Sequence, residues 1–146
     1  GVKLKEVIEY KKKYNLKNIL TLPYQPREYI HISLASADIQ VVSLGDNCSG
    51  FTHPNKIYGS MFVGKPILYI GPHDSHISEI LDKCPGNISV RHGETNLLVE
   101  SLVSFSKKSE QDINLIGHNN KIFANEFFHP KILIKKMIKS IESVVN

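Results

Sequence analysis

The stretch IQVVSLGDNCSGFTHPNKIYGSMFVGKPILYIG, Ile39 to Gly71, decides how the chain is read. It opens with a short run rich in β-branched residues, Ile39 to Leu44, and closes with another, Pro66 to Gly71. Both are nearly continuous in apolar residues, the pattern of strands covered on two faces. Between them Ile57 and Met61 repeat at helical spacing, Pro54 stands where a helix would begin, and Gly64 stands where it would stop. Strand, helix, strand in that order is a βαβ unit, which makes the two strands parallel with the helix on one face.

The same alternation continues outward. NILTL (Asn18 to Leu22) and NISV (Asn87 to Val90) read as further strands. Helical patterns fill the intervals at about Val2 to Tyr14, Pro26 to Ser36, Pro54 to Val63 and Ser75 to Lys83. Beyond Val90 only helices are expected, near Thr95 to Lys107, Gln111 to Phe127 and Pro130 to Val145. In the last of these Ile134, Met137, Ile138, Ile141 and Val145 form one apolar stripe, with Lys135, Lys136 and Lys139 off it, so this helix is expected to dock on a surface. The fold class is α/β, an open parallel sheet with flanking helices and an all-helical carboxyl end. A parallel sheet is normally entered by a strand, and here the first element is a helix, so the chain reads as a fragment of a larger domain.

Composition bounds the class. The 146 residues suit one domain, 1–146, able to bury a real core without metals or disulfides. Hydrophobic residues at 41% and charged residues at 22% exclude a disordered or fibrous chain. The net charge of +4 comes largely from lysine clusters near the two ends, which read first as solvated helix faces and second as a surface for anionic lipid. Nucleic acid is not expected, because aromatics are not interleaved with the basic residues as stacking platforms. Cys48 and Cys84 are too few for a disulfide framework, and no signal segment or membrane-spanning run is present. A cytoplasmic protein is expected, with the inner face of the membrane as a further location.

In open α/β sheets, ligands sit beyond the carboxyl ends of strands. That rule selects the loops Pro23 to Arg27, Gly45 to Asn55 and Gly71 to Ser75. Helix openings usually carry an acid, because the free amides there are electropositive. The helix at Pro54 carries Lys56 instead, with no acid anywhere between Ser49 and Pro66. Such an arrangement suits a bound anion, since the amides of Asn55 and Lys56 have no intrahelical partner and can donate to a phosphate. The alternative is a lysine that simply reaches into water. Gly50 and Gly59 allow close backbone approach, and Thr52, His53 and Asn55 offer hydrogen bonds. Tyr58 reads as a packed aromatic. In the first loop Tyr24 offers a stacking surface and Gln25 a partner for a base edge. His73, Asp74 and His76 are three potential metal ligands on a short loop with no fourth at suitable spacing, so no metal is expected. A nucleophile elbow, a phosphate loop and a dinucleotide fingerprint are absent.

From Ser36 to Leu81, SADIQVVSLGDNCSGFTHPNKIYGSMFVGKPILYIGPHDSHISEIL, the sequence resembles the nucleotide-sugar-binding half of GT-B glycosyltransferases, in particular the retaining group called glycosyltransferase family 4. The order Pro54, Asn55, Lys56, Ile57, Tyr58, Gly59, then Gly64, Lys65, Pro66, is similar to a bacterial subgroup associated with surface polysaccharide assembly. The resemblance extends from about Val2 to Phe128. It implies a Rossmann-like domain that binds a nucleotide diphosphate sugar, often a UDP-sugar, with no essential metal or other cofactor. It also implies an acceptor that is a glycan or lipid-linked, contributed through an amino-terminal domain this chain lacks. By position, Asn55 and Lys56 would hold the diphosphate, with Lys56 as the catalytic group. Tyr24 and Gln25 would lie near the base, and Gly50, Phe51, Thr52 and His53 near the sugar. The paired glutamates common in the family are missing: Phe51 and Gly59 occupy those positions. Because a complete enzyme also has the acceptor domain and the first strands of the donor domain, the resemblance implies that the chain alone binds donor without catalysing transfer. A nucleotide-sugar epimerase of the same fold, or a non-catalytic α/β binding module, remain as alternatives.

Overall fold

The computed structural model describes residues 3–145, and for residue 145 the backbone alone. Three strands, β1 (Gln40–Ser43), β2 (Ile67–Ile70) and β3 (Ile88–Val90), form one parallel sheet in the order β1-β2-β3. Val42 stands opposite Tyr69, and Ile70 opposite Val90. Seven α-helices surround it: α1 (Leu4–Lys13), α2 (Ile30–Ala35), α3 (Lys56–Phe62), α4 (His76–Leu81), α5 (Thr95–Ser106), α6 (Glu110–Phe127) and α7 (Pro130–Val145). The architecture is α/β with a three-stranded open parallel sheet and flanking helices, compatible with a Rossmann-like domain.

β2 is the central strand, and its residues Ile67, Leu68 and Tyr69 are buried, which is why its sequence is apolar without alternation. Around it Val42, Ile57, Met61, Ile77, Ile80 and Ala124 close the core. Ile57 and Met61 turn the same face of α3 inward, as their spacing requires. α3 ends at Gly64, whose φ of +71° is a left-handed conformation that glycine adopts without strain. The Lys65 amide donates to Ser60 O at 3.2 Å and the Gly64 amide to Met61 O at 2.9 Å, a Schellman ending. α6 lies against this turn, with Gly117 so close that a Cβ there would collide with the Gly64 carbonyl oxygen.

A buried amide pair ties α6 to the sheet. Asn120 is fully buried and donates to Lys65 O at 2.9 Å. Its side chain exchanges hydrogen bonds with that of Asn87, and Asn87 Oδ1 also accepts from the Ile67 amide at 2.8 Å. The start of β2, the start of β3 and the middle of α6 are thus held by side-chain amides whose polar atoms are all satisfied.

Two expectations are corrected. Asn18 to Leu22 is not a strand: the segment carries no regular structure, and Leu20 and Leu22 are 78% and 66% exposed. A short β-branched run becomes a strand only where a neighbour accepts its backbone hydrogen bonds, and none lies beside it among the described residues. The helix expected from Pro26 is a 3-10 turn at Arg27–Tyr29 followed by the six residues of α2. The expected start of the first helix at Val2 and the stripe's last side chain, Val145, lie outside the described residues.

The ends of the chain stand apart from the core. α1 has no buried residue. α7 contacts α6 alone to any extent, and its Ile134, Met137, Ile138 and Ile141 stay 46–58% exposed, so among the described residues the stripe is not docked on the sheet; a neighbouring domain is the other surface the sequence allows for it. Among the described residues no helix is long and apolar enough to cross a membrane.

Candidate functional site

The loop that leaves β1 is shaped by its own backbone. The Cys48 amide donates to Gly45 O at 2.9 Å, and the Phe51 and Thr52 amides both donate to Cys48 O, at 3.2 and 3.0 Å. Gly50, with φ of +78°, makes the reversal between them. The loop that leaves β2 is shaped from below. Tyr69 is fully buried, and its hydroxyl donates to Pro72 O at 3.1 Å and lies 2.9 Å from Ser75 Oγ. Ser75 in turn caps α4, accepting from the Ser78 amide at 3.3 Å. The two loops are joined where Ser49 Oγ donates to Asp74 O at 2.7 Å.

Between them lies a cleft of about 560 Å³ beyond the carboxyl ends of β1 and β2. Gly50, Phe51, Thr52 and His53 form one wall, and Asp74, Ser75, His76 and Glu79 the other. The rings of His53 and His76 face each other across it, 4.7 Å between centroids. Behind His53 stands Tyr58 of α3, which packs edge-on against Phe128, 4.8 Å between ring centroids. Burial, helped by the charge His76 can carry, holds the His53 imidazolium below its usual pKa, and burial pushes the Tyr58 hydroxyl above its own. His53 Nε2 and the Tyr58 hydroxyl are hydrogen-bonded to each other. His76 Nδ1 lies 3.4 Å from Glu79 Oε2. The charged residues lining the cleft, Asp74 and Glu79, are both acidic.

The residues singled out in the sequence divide into three groups. Gly50, Phe51, Thr52 and His53 line the cleft together. Asn55 and Lys56 follow directly at the exposed start of α3, beside the cleft and outside its lining. Helical hydrogen bonding begins there with the Ile57 amide donating to Pro54 O at 3.3 Å, which is why α3 proper starts two residues later than expected. Among the described residues nothing accepts from the amides of Asn55 or Lys56, and the Asn55 side chain does not cap the helix.

Tyr24 and Gln25 form the third group and are not brought to the cleft. Tyr24 is 88% exposed, and Gln25 Nε2 donates to Pro23 O within its own segment. Gly59 faces α2: a Cβ there would sit 3.3 Å from Leu34 Cδ1, so helix packing accounts for the glycine.

The second wall was underread in the sequence. Asp74 and His76 had registered as weak metal ligands, whereas Ser49 and Glu79 carried no signal of their own. The rule about strand ends had selected the Gly71 to Ser75 loop, and that was the available cue. Among the described residues no group of three His, Cys, Asp or Glu side chains is arranged to hold a metal ion. A neighbouring hollow, lined by Asp46, His73, Asp74, Arg91 and His92, extends along the ends of all three strands. His92 donates from Nε2 to Leu44 O at 2.9 Å and ties the loop after β3 to the end of β1.

No family model, curated protein or solved structure matches the chain. The chemistry must therefore be argued from the cleft. It offers hydroxyl, imidazole and backbone donors on its walls and a cation with free amides at its edge. That combination suits a polar ligand with an anionic end lodged near α3.

Proposed function

We propose that the chain is the donor-binding part of a cytoplasmic GT-B glycosyltransferase that moves a sugar from a nucleotide diphosphate sugar, a UDP-sugar in the first instance, to a glycan or lipid-linked acceptor. The observation that carries this reading is the cleft beyond β1 and β2, whose wall Gly50 to His53 runs straight into the unpaired amides of Asn55 and Lys56. The motif from Pro54 to Pro66 supports it from the sequence side. In this reading the diphosphate lies against the opening of α3, and Lys56 stabilises the charge that develops on it as the sugar departs. The chain supplies no nucleophile; its contribution is electrostatic.

Calorimetry with UDP tests the assignment. Lys56→Ala is expected to weaken binding by about 1–3 kcal/mol, the loss of one charge-assisted contact. Lys56 is exposed, so the fold should survive the change. Equal affinity of the two proteins, or no binding by either, overturns the reading.

A second reading is favoured by one observation. Gly59 and Phe51, which occupy the places of the family's paired glutamates, are packed against Leu34 and 92% exposed respectively. Neither offers a carboxylate for a ribose. A module that binds without catalysing transfer is distinguished on a full-length chain with its acceptor domain, by supplying acceptor together with a donor that has bound and finding none consumed.

A further inference from the structure

The two walls of the cleft differ from its edge in charge. Asp74 and Glu79 are ionised at neutral pH and exposed to the space they line, and Lys56 stands outside that lining. His53 sits neutral between Tyr58 and His76, its proton held off by burial and by His76. Thr52 and the backbone at Gly50 complete a surface that is polar and acidic. A group bound there can be hydrogen-bonded on several sides, but an anion would face two carboxylates with no cation among the lining residues to offset them.

We propose that this cleft selects the sugar of the donor by charge, accepting a neutral or amino-bearing hexose and rejecting a hexuronate or other acidic sugar, with Asp74 and Glu79 as the discriminating residues. The inference rests on the functional reading above. With the diphosphate against Asn55 and Lys56, the sugar bonded to it falls next to the preceding residues of the same loop, Gly50 to His53. Those residues make one wall of the cleft, and the carboxylates stand on the other. The 6-carboxylate of a hexuronate would enter the space that the two carboxylates line, where like charges repel. His76 Nδ1 lies 3.4 Å from Glu79 Oε2, and a protonated imidazole there would offset that carboxylate, so the comparison is made at mildly alkaline pH.

The test compares UDP, UDP-glucose and UDP-glucuronate by calorimetry on this chain, at mildly alkaline pH and low salt. UDP-glucuronate is expected to bind about tenfold or more weakly than UDP-glucose. Raising the salt should narrow that ratio, because the cause is electrostatic; a purely steric exclusion would not respond. Asp74→Asn combined with Glu79→Gln should bring the affinities of UDP-glucose and UDP-glucuronate together, whatever common change the loss of two negative charges makes to UDP itself. Both side chains are exposed, so the substitutions should not unfold the protein. UDP that binds, with UDP-glucuronate binding as tightly as UDP-glucose, overturns the inference and leaves the functional reading standing. A preference that survives both the salt and the double substitution also overturns it. If UDP fails to bind at all, the functional reading falls and the inference falls with it.

Discussion

His53 is the residue on which the cleft's chemistry turns, because three neighbours act on it at once. The Tyr58 hydroxyl is hydrogen-bonded to its Nε2, His76 faces its ring, and the surrounding atoms remove part of its hydration. Burial is the larger cause of its lowered pKa and His76 the smaller. In the unfolded chain the same imidazole titrates near 6.5. Between that value and the lower folded one, the unfolded state binds more protons, so stability rises with pH across the window. It is therefore present above about pH 6.5 and is lost as the pH falls toward the folded value. Urea midpoints measured from neutral to mildly acidic pH should decline, and His53→Gln should decline less steeply over the same range. The quantity to read is the difference between the two proteins, which cancels the groups common to both. Superimposable pH profiles would show that His53 is as hydrated when folded as when unfolded.

At the scale of elements, the contact between α6 and the end of α3 is closer than any pattern of apolar residues could announce. Gly117 occupies the middle of an 18-residue helix, where glycine ordinarily costs about 1 kcal/mol relative to alanine. Here the absence of a Cβ lets the helix rest on the Gly64 carbonyl. Gly117→Ala should therefore destabilise by about 1–3 kcal/mol despite the better helix propensity, measured by urea unfolding. A stabilised variant would mean that α6 does not approach so closely. Elements whose cues were local were legible in the sequence: β1, β2, β3 and the three final helices follow from apolar runs and periodicity, and Gly64 was recognisable as the stop of α3. What could not be read were pairings across the chain. Asn87 and Asn120 are polar residues of ordinary appearance, 33 positions apart, and only the fold makes them partners. Likewise, Asn18 to Leu22 has the composition of a strand, and composition says nothing of whether a neighbour exists to pair with it. The cleft divides the same way: its first wall belongs to one contiguous loop and was foreseen, while its second wall depends on how that loop meets α4.

For the whole molecule, the distribution of burial implies that stability is concentrated in one part. The core gathers the three strands with α3, α4 and part of α6, whereas α1, the segment up to Arg27 and most of α7 contribute little buried surface. α1 spans ten residues, and helices of that length are marginal in water unless packed. Its stability comes from contacts within single turns, the exposed Lys3–Glu6 pair, worth a few tenths of a kcal/mol, and the Tyr10–Tyr14 rings at 4.5 Å between centroids, together with local propensity. Hydrogen exchange should therefore find the amides of α1 exchanging by local opening, orders of magnitude faster than those of β2, which is hydrogen-bonded to a strand on each side and opens only with the whole domain. Substitution gives the same partition in energy. Ile77→Ala, at a fully buried site, should cost about 2–5 kcal/mol. Ile138→Ala, on the exposed stripe of α7, should change stability by less than about 0.5 kcal/mol. A large loss at Ile138, or α1 amides as protected as those of β2, would mean that these apolar faces are covered in solution by a surface they do not meet among the described residues.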